Sequence, residues 1–311
     1  MRRYDRDGYS IVGIIQKGYA MKDLAVRPVV EPVASSGPKL ACHVYLVSLA
    51  AAMFAAVAAA LTYFSPGVLM GPPAANGNAR GTALVVFALA VPVLLSGIWM
   101  TGRGQWRGLF IWAGALFYLG YNGFLFLFLT PFNQLFLWYI AMFSTALFGS
   151  IALIGSVEYP RLLSGIRQPP VRALAIYVWA LVALNTLAWL RVVVPGLSGP
   201  TPGSFLEGTG VMTNPIYVQD LAFWLPGAAI AAWWLWKRRP IGVLLTGSWI
   251  AFGVLEGIGV AVDQWFGHVA DPASPVASFA AIPIMLFLAL LSAVALYFYI
   301  RPNAHESRRV Q

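Results

Sequence analysis

Residues 213–263 read TNPIYVQDLAFWLPGAAIAAWWLWKRRPIGVLLTGSWIAFGVLEGIGVAVD, and this stretch decides the fold class. The triplet TNP at 213–215 predicts a helix start, because a capping side chain precedes a proline at the first helical position. An apolar run then continues to Trp236, and a second one follows the basic sequence KRRP and continues to Asp263. Each run is about 20 residues long, which is the length that a helix needs to cross a membrane. The stretch therefore predicts two membrane-spanning helices joined by a basic turn.

The composition of the whole chain indicates the same class. Of its 311 residues 59% are hydrophobic and 10% are charged, whereas about a quarter of the residues in a soluble domain are charged. The single cysteine excludes an intramolecular disulfide and a cysteine-based metal or iron–sulfur cluster. The three histidines lie at a helix start, in a loop and in the tail (His43, His268 and His305), so they offer no helical pair for a haem. We predict no metal site and no cofactor.

Apolar segments and basic clusters alternate along the chain. We predict eight membrane segments, at 41–64, 82–101, 108–130, 135–157, 172–195, 215–236, 241–263 and 276–299. This placement puts 18 of the 20 lysines and arginines on one side and leaves only Arg80 and Arg191 for the other. Such a distribution follows the positive-inside rule and does not form the single basic stripe of a nucleic-acid-binding protein. We predict an all-α polytopic bundle in the lipid bilayer, with both termini cytoplasmic and no nucleic-acid partner.

The segments define three regions, which are a basic tail at 1–40, an eight-helix membrane domain at 41–299 and a short cytoplasmic tail at 300–311. The first 40 residues lack a long apolar core followed by a small-residue cleavage site, so we predict no cleavable signal peptide. Met21 is a second candidate for the start codon.

An internal repeat is a further hypothesis. A shift of 134 residues aligns four pairs without a gap, which are Pro92 with Pro226, Trp99 with Trp233, Gly108 with Gly242 and Gly123 with Gly257. The same shift places Asn122 opposite Glu256. Chance in a chain rich in glycine and alanine also yields four identities, so coincidence and a four-plus-four duplication both stay open. A duplication would place a pseudo-two-fold axis along the membrane normal, with any site between the halves.

Polar residues inside the predicted membrane region form the candidate site. They are Glu256, Asp220, Arg191, Asn122, Tyr121 and Asn185. At 1.5 Å per residue from the cytoplasmic ends, Glu256 lies roughly 22 Å and Asn122 roughly 21 Å into the membrane. An isolated carboxylate at mid-bilayer costs about 2.5 to 3.5 kcal/mol, so partners are expected.

Two interpretations of these residues compete. The functional one is an outward-facing polar pocket that binds a small polar or cationic ligand or passes a proton through Glu256. The structural one makes Arg191 and Asp220 an interfacial ion pair, Asp263 a wetted boundary residue and Glu256 a hydrogen-bonding group between helices. Prolines within the helices fit kinks that line a cavity as well as ordinary membrane packing (Pro92, Pro226 and Pro283). The pair Gly253 and Gly257 has the spacing that lets helices approach closely.

Motifs of soluble enzymes are absent from the sequence. It contains no nucleotide-binding GxxxxGK, no HExxH and no GxSxG, so we assign no catalytic residue. The leading hypothesis is a small-molecule or proton-coupled permease. The alternatives are a membrane-embedded enzyme that acts on a lipid, with Asp220 and Glu256 as acid and base, and a scaffold or sensor subunit without catalytic activity. The sequence does not predict an oligomeric state.

Two pairs of stretches resemble a known group of proteins. They are 118–122 (YLGYN) with 131–139 (PFNQLFLWY), and 213–221 (TNPIYVQDL) with 236–240 (WKRRP). They are similar to a group of uncharacterised bacterial multi-pass membrane proteins, over roughly residues 80–260. The resemblance implies a single helical domain in the bacterial cytoplasmic membrane, and it implies no activity and no site residue.

Overall fold

The computed structural model describes residues 37–65, 67–198, 203 and 206–301. Within these ranges the chain forms eleven α-helices and two π-helical turns, and no β-strand. In chain order they are α1 (Cys42–Phe64), α2 (Pro73–Val85), the first π-turn (Val86–Ala90), α3 (Val91–Gly102), α4 (Gly108–Leu129), α5 (Phe136–Ser156), α6 (Tyr159–Gly165), α7 (Val171–Gly196), α8 (Pro215–Gln219), the second π-turn (Asp220–Trp224), α9 (Leu225–Trp236), α10 (Pro240–Ala270) and α11 (Ala281–Ile300). Most of the predicted amino-terminal tail, the candidate start at Met21 and the tail from 302 lie outside the described residues.

Seven helical segments are long and apolar enough to cross a membrane. They are Cys42–Phe64, Pro73–Gly102, Gly108–Leu129, Phe136–Ser156, Val171–Gly196, Pro240–Ala270 and Ala281–Ile300. The predicted all-helical membrane bundle is thereby confirmed. The eighth predicted segment is helical from α8 to α9 but is not among the seven. Its first third contains Gln219 and Asp220, whose polar side chains lower its mean hydropathy. Its start is capped as predicted, because the Asn214 side chain accepts a hydrogen bond from the Ile216 amide at 3.0 Å.

Three predicted boundaries differ from the structure by more than two residues. The second span begins at Pro73 instead of 82, α10 extends to Ala270 instead of 263, and α11 begins at Ala281 instead of 276. The first two differences have one cause, which is close packing of α2 against the end of α10. A Cβ atom on Gly77 would lie 2.8 Å from the Cα of Gly267, and the same spacing brings Gly81 against Asp263. This contact extends both helices and overrides the low helix propensity of glycine and asparagine in α2.

The connecting segments gather at two ends of the bundle. At the basic end, Gly37 packs against Gly104, and Gly165 packs against Trp106. At the opposite end, Gly210 of the 203–214 connection packs against Pro72, where an added Cβ would lie 3.0 Å from the proline ring. The segments 103–107, 157–170 and 237–239 thus belong to the basic end. The segments 67–72, 130–135, 206–214 and 271–280 belong to the opposite end.

Helices α4 and α10 form the centre of the bundle. In the most apolar stretch of α4, 83% of the residues are buried, and the share is 61% in α10, compared with 17% in α7 and in α11. Gly114 brings the two central helices together, because a Cβ atom there would lie 2.8 Å from the Ser248 carbonyl oxygen. On another face of α10, Gly253 and Gly257 lie against α11, so this pair does permit close helix approach.

Local geometry recurs at an interval of 134 residues. The π-turns begin at Val86 and Asp220, and each precedes a 12-residue helix whose second residue is proline. At the ends of these helices, the Arg103 guanidinium lies 4.7 Å from the centre of the Trp99 ring, and the Lys237 ammonium lies 4.7 Å from that of Trp233. The next residue has a positive φ in both places, 80° at Gly104 and 55° at Arg238. Arg238 is the one non-glycine residue with a positive φ in the described part of the chain.

The two central helices also touch through residues that are 134 positions apart. Gly114 meets Ser248, and the Tyr118 ring lies 6.5 Å from the Phe252 ring. The next residues on the same two helix faces, four positions further along, are Asn122 and Glu256. These two polar residues therefore stand at corresponding heights of α4 and α10.

Candidate functional site

Asp220 is the first residue of the second π-turn and is 6% exposed. The indole nitrogen of Trp189, on α7, donates a hydrogen bond of 2.7 Å to its carboxylate. The Tyr121 side chain of α4 is also near enough to interact with this carboxylate. A π-turn contains one extra residue in a helical turn and is frequent at functional sites. Here it places Asp220 where three helical segments meet.

Glu256 is half-buried on the face of α10 that is directed toward α4. The spacing of Phe252, Glu256, Gly259 and Asp263 puts all four on one side of the helix. The Glu256 carboxyl group lies within electrostatic range of both Asp220 and Asp263. Three acidic side chains from two helical segments thus form one cluster, which we call the acidic cluster (Asp220, Glu256 and Asp263).

Helix α4 supplies the neutral polar partners of the acidic cluster. Tyr121 is 4% exposed and interacts with both Asp220 and Glu256. Asn122 is 3% exposed, and its side-chain nitrogen donates to the carbonyl oxygen of Tyr118 at 3.0 Å. The Tyr118 side chain interacts with Glu256 and Asp263. The structure therefore brings four of the six candidate residues together, which are Glu256, Asp220, Asn122 and Tyr121.

The other two candidates, Arg191 and Asn185, are on α7, and in the described part of the chain no hydrogen bond or ion pair joins either of them to the other four. Arg191 is exposed, and the predicted ion pair with Asp220 is not formed, because Trp189 occupies that carboxylate. Asn185 is half-buried on the same peripheral helix. Within the described ranges the one ion pair joins Arg161 to Glu158, at 2.8 Å and at the basic end. No described lysine or arginine therefore forms an ion pair with the acidic cluster.

A layer of aromatic rings separates the acidic cluster from the basic end. Trp224 lies at its centre and stacks on Phe252 with a centroid distance of 5.2 Å and an interplanar angle of 3°. Trp249 and Tyr121 meet the same indole edge-on, at 5.3 and 5.5 Å. Trp249 and Phe252 precede Glu256 in α10, which begins at the basic end. We call these four rings the aromatic layer, and along α10 it lies on the basic side of Glu256.

Two buried polar groups in this region lack hydrogen bonds. Gln219 is 0% exposed, and neither polar atom of its amide makes a hydrogen bond of good geometry to any described residue. The buried indole nitrogen of Trp224 also has no hydrogen-bond partner among the described residues. The Tyr121 hydroxyl is close to the Gln219 amide and to Asp220. Because buried polar groups are normally paired, the space beside Gln219 is suited to a small polar species such as water.

The acidic cluster is not arranged as a metal-ligand group, and it lies apart from the pocket at the opposite end. Among the described residues no group of three or more His, Cys, Asp and Glu side chains is arranged to hold a metal ion. A pocket of about 110 Å³ lies at the opposite end and is lined by residues of α2, the α4–α5 turn and the 209–211 segment, among them Asn76, Thr130 and Thr209. None of the six candidate residues lines this pocket.

Sequence reasoning missed several members of the site. Gln219 and Trp189 were absent from the candidates, and Asp263 was interpreted as a boundary residue, although it is half-buried beside α2. The three- and four-residue spacing from Phe252 to Asp263 is the signal that would have placed Asp263 on the face of Glu256. No sequence signal identifies Trp189, because α7 is apolar all round and its pattern does not reveal which face is directed inward.

The chain was compared with known proteins at three levels. No family model, no curated protein and no solved structure matches it. The helical segments themselves, which are long and apolar enough to cross a membrane, therefore carry the conclusion that this is an integral membrane protein.

Proposed function

We propose that this protein is a membrane permease that moves protons, and that Glu256 carries the proton. The acidic cluster is the observation that supports this proposal. The Glu256 carboxyl group lies within electrostatic range of those of Asp220 and Asp263, and no described basic residue forms an ion pair with any of the three. Uncompensated negative charges are costly inside a membrane, so the cluster must bind protons or another cation. Since its side chains are not arranged as a metal site, protons are the cargo that fits best.

The surroundings of the cluster support the same function. Tyr121 and Trp189 supply hydrogen-bond donors to Asp220, so the carboxylate form is stabilised when the proton leaves. The unpaired amide of Gln219 offers a place for a water molecule between the helices. The aromatic layer blocks a continuous water path toward the basic end. A proton carrier needs both features, which are a polar path on one side and a barrier against free leakage on the other.

An internal duplication is part of this proposal. The recurrence of the π-turns, of the cation–π pairs at Trp99 and Trp233, and of the positive φ at Gly104 and Arg238 supports it. So do the contacts of Gly114 with Ser248 and of Tyr118 with Phe252, since a two-fold axis brings corresponding residues together. The halves would be α1 to α5 and α7 to α11, each with four spans. The axis would then pass between α4 and α10, beside Glu256.

Proton flux into liposomes tests the proposed role of Glu256. Purified protein is reconstituted with a pH-sensitive dye inside the vesicles, and a potassium diffusion potential drives the protons. We expect the wild type to acidify the interior faster than empty liposomes do, and Glu256→Gln to reduce the rate by about tenfold or more. Glu158→Gln is the matched control, because it removes an exposed carboxyl group at the basic end. A Glu256→Gln rate equal to that of the wild type would exclude Glu256 as the carrier, and a scaffold protein would show no flux at all.

The proposed orientation places the basic end in the cytoplasm, and Cys42 provides the test. It is the single cysteine of the chain and is exposed at the start of α1. We expect a membrane-impermeant maleimide to label it only from the cytoplasmic side. In a Cys42→Ser background, Met212→Cys should be labelled only from outside, because Met212 is 96% exposed in the connection at the opposite end. Labelling of both positions from the same side would contradict the proposed topology.

A further inference from the structure

The space between Glu256 and Asp263 is occupied by a tyrosine hydroxyl. Gly259 lies between the two acidic residues on one face of α10, three positions after the first and four before the second. The Tyr118 hydroxyl, which belongs to α4, is seated against Gly259, where a Cβ atom would overlap it. The neighbouring Tyr118 ring atoms Cε2 and Cζ would lie 3.3 Å from that Cβ. Because Gly259 has no side chain, the hydroxyl can lie directly against the surface of α10. We call this position the Gly259 notch.

The position of Tyr118 is fixed from several sides. It is 1% exposed, its ring contacts Phe252, and its carbonyl oxygen accepts a hydrogen bond from Asn122. Its hydroxyl lies within electrostatic range of the carboxyl groups of Glu256 and Asp263, and the Asn122 side chain is near enough to hydrogen-bond to it. A hydroxyl is both a donor and an acceptor, so it is able to receive one proton while it gives up its own.

Asp263 connects this arrangement with the opposite end of the bundle. It is half-buried, and its carboxylate accepts a hydrogen bond of 3.1 Å from Gln264. Gln264 in turn accepts a hydrogen bond of 2.7 Å from the amide of Ser278, an exposed residue of the 271–280 connection. About two helical turns beyond Glu256, the chain thus reaches a region that is open to water.

We propose that the Tyr118 hydroxyl, seated in the Gly259 notch, relays protons between Glu256 and Asp263, and that Asp263 exchanges them with water at the opposite end. The inference rests on the proposed function, because it needs Glu256 to carry a proton. In the step, the Glu256 carboxyl gives its proton to the Tyr118 oxygen, and the former Tyr118 proton passes to the Asp263 carboxylate. Glu256 becomes a carboxylate, Asp263 becomes a carboxyl group, and Tyr118 is unchanged. The Gln219 amide lies beside Tyr121 and Asp220 and makes no hydrogen bond of good geometry to a described residue. In the proposed path it is a second polar group, on the other side of Glu256 from Asp263, that can hold a water molecule.

Proton flux in the liposome assay tests the relay. We expect Tyr118→Phe and Asp263→Asn each to lower the rate by about tenfold, because each removes one acceptor of the path. Tyr139→Phe is the matched control, since it removes a buried tyrosine hydroxyl of α5 that bonds to Thr62 at 2.7 Å, away from the acidic cluster. If Glu256→Gln abolishes flux while Tyr118→Phe and Asp263→Asn conduct like the wild type, the relay is wrong and the proposed function stands. A wild type that conducts no faster than empty liposomes overturns both.

A double-mutant cycle of thermal unfolding tests, independently of transport, whether the Tyr118 hydroxyl lies against Gly259. Gly259→Ala should lower the midpoint of thermal unfolding by about 4 °C or more, because the new methyl group overlaps the Tyr118 hydroxyl. The same change in a Tyr118→Phe background should cost at most half of that shift, since the overlapping oxygen is gone. Equal costs in the two backgrounds would show that the hydroxyl does not occupy the notch, and this would overturn the proposed path.

Discussion

The two halves of the proposed duplication share their local geometry and differ in their charges. Both contain a π-turn, a 12-residue helix after it and a central helix of the α4 and α10 pair. Only the second half has acidic residues in its central region, because Asp220, Glu256 and Asp263 correspond to Val86, Asn122 and Leu129. The first half has the same local helix geometry without these acids. That local geometry therefore does not require these acids, which is consistent with the proposed role of the acidic cluster.

A second difference concerns the segment before each π-turn. In the first half this segment is the 13-residue helix α2, whereas in the second it is the five-residue helix α8 preceded by an irregular connection. Helix α2 packs against the end of α10, and its glycines Gly77 and Gly81 fit that contact. The first half thus supplies a cover for Asp263. Under the proposed duplication, the two halves therefore differ where the proposed proton path leaves the bundle.

Apart from the loss of flux in the Glu256 variants, the largest effect is expected at the aromatic layer. Trp224 corresponds to Ala90 in the first half, so Trp224→Ala makes the two π-turns alike at their last residue. Removal of the stacked indole opens the barrier beneath the acidic cluster, and we expect passive proton leakage to rise severalfold. Dye-loaded liposomes without an imposed potential measure it. Phe279→Ala, an exposed ring near Trp265 at the opposite end, should leave the leak unchanged. A Trp224→Ala variant whose passive proton leakage equals that of the wild type would contradict the assignment of the layer as a barrier.

The next effect concerns the cover that α2 provides. Gly81→Leu should destabilise the protein by about 2 to 3 kcal/mol, because its Cβ would lie 2.6 Å from the Cα of Asp263. Gly102→Leu is the control, since nothing lies within 4 Å of an added Cβ there. Unfolding in detergent, followed by circular dichroism, measures both. Equal stability of the two variants would mean that the helices do not approach this closely.

A smaller effect is expected at the hydroxyl pairs that join the first and last helix of each half. Tyr139 bonds to Thr62 at 2.7 Å between α5 and α1, and Tyr177 bonds to Ser292 at 2.8 Å between α7 and α11. Substitution of either tyrosine by phenylalanine should cost about 0.6 to 1 kcal/mol, as hydrogen bonds between membrane helices do. The same unfolding assay measures the loss. Tyr299→Phe should cost nothing, because that buried hydroxyl has no hydrogen-bond partner among the described residues.

The smallest effect is expected at the cation–π pairs. Arg103→Ala and Lys237→Ala should each cost about 0.5 kcal/mol, because both cations lie 4.7 Å from an exposed tryptophan ring. Similar values in the two halves would sharpen the case for duplication. A difference of more than about 1 kcal/mol would show that the two helix ends are built differently despite their common geometry.

Much of the fold was predictable from the sequence, because apolar length and basic clusters are strong signals in membrane proteins. Five of the eight predicted segments agree with the observed helices within two residues, and the Asn214 cap explains one such boundary. The start of α2 was not predictable, since its glycines and asparagines read as a loop until their contact with α10 is known. The prediction failed for a physical reason, which is that packing between distant segments decides the conformation of weak helix formers.

The candidate site was predictable only in part. Intramembrane polarity identified Glu256, Asp220, Asn122 and Tyr121, which the structure brings together. It also selected Arg191, whose side chain is exposed, because depth along a helix says nothing about the direction that a side chain takes. Gln219 went unnoticed although it adjoins Asp220, and its unpaired amide becomes visible only when burial is known.

The most direct test of this account makes the two corresponding positions on α4 and α10 identical. Glu256→Asn gives the chain an asparagine at both places, and its potential-driven proton flux is compared with that of the wild type in liposomes. We predict that the variant folds with an unchanged helix content and conducts no faster than empty vesicles. A folded Glu256→Asn protein that conducts protons at the wild-type rate would contradict the account.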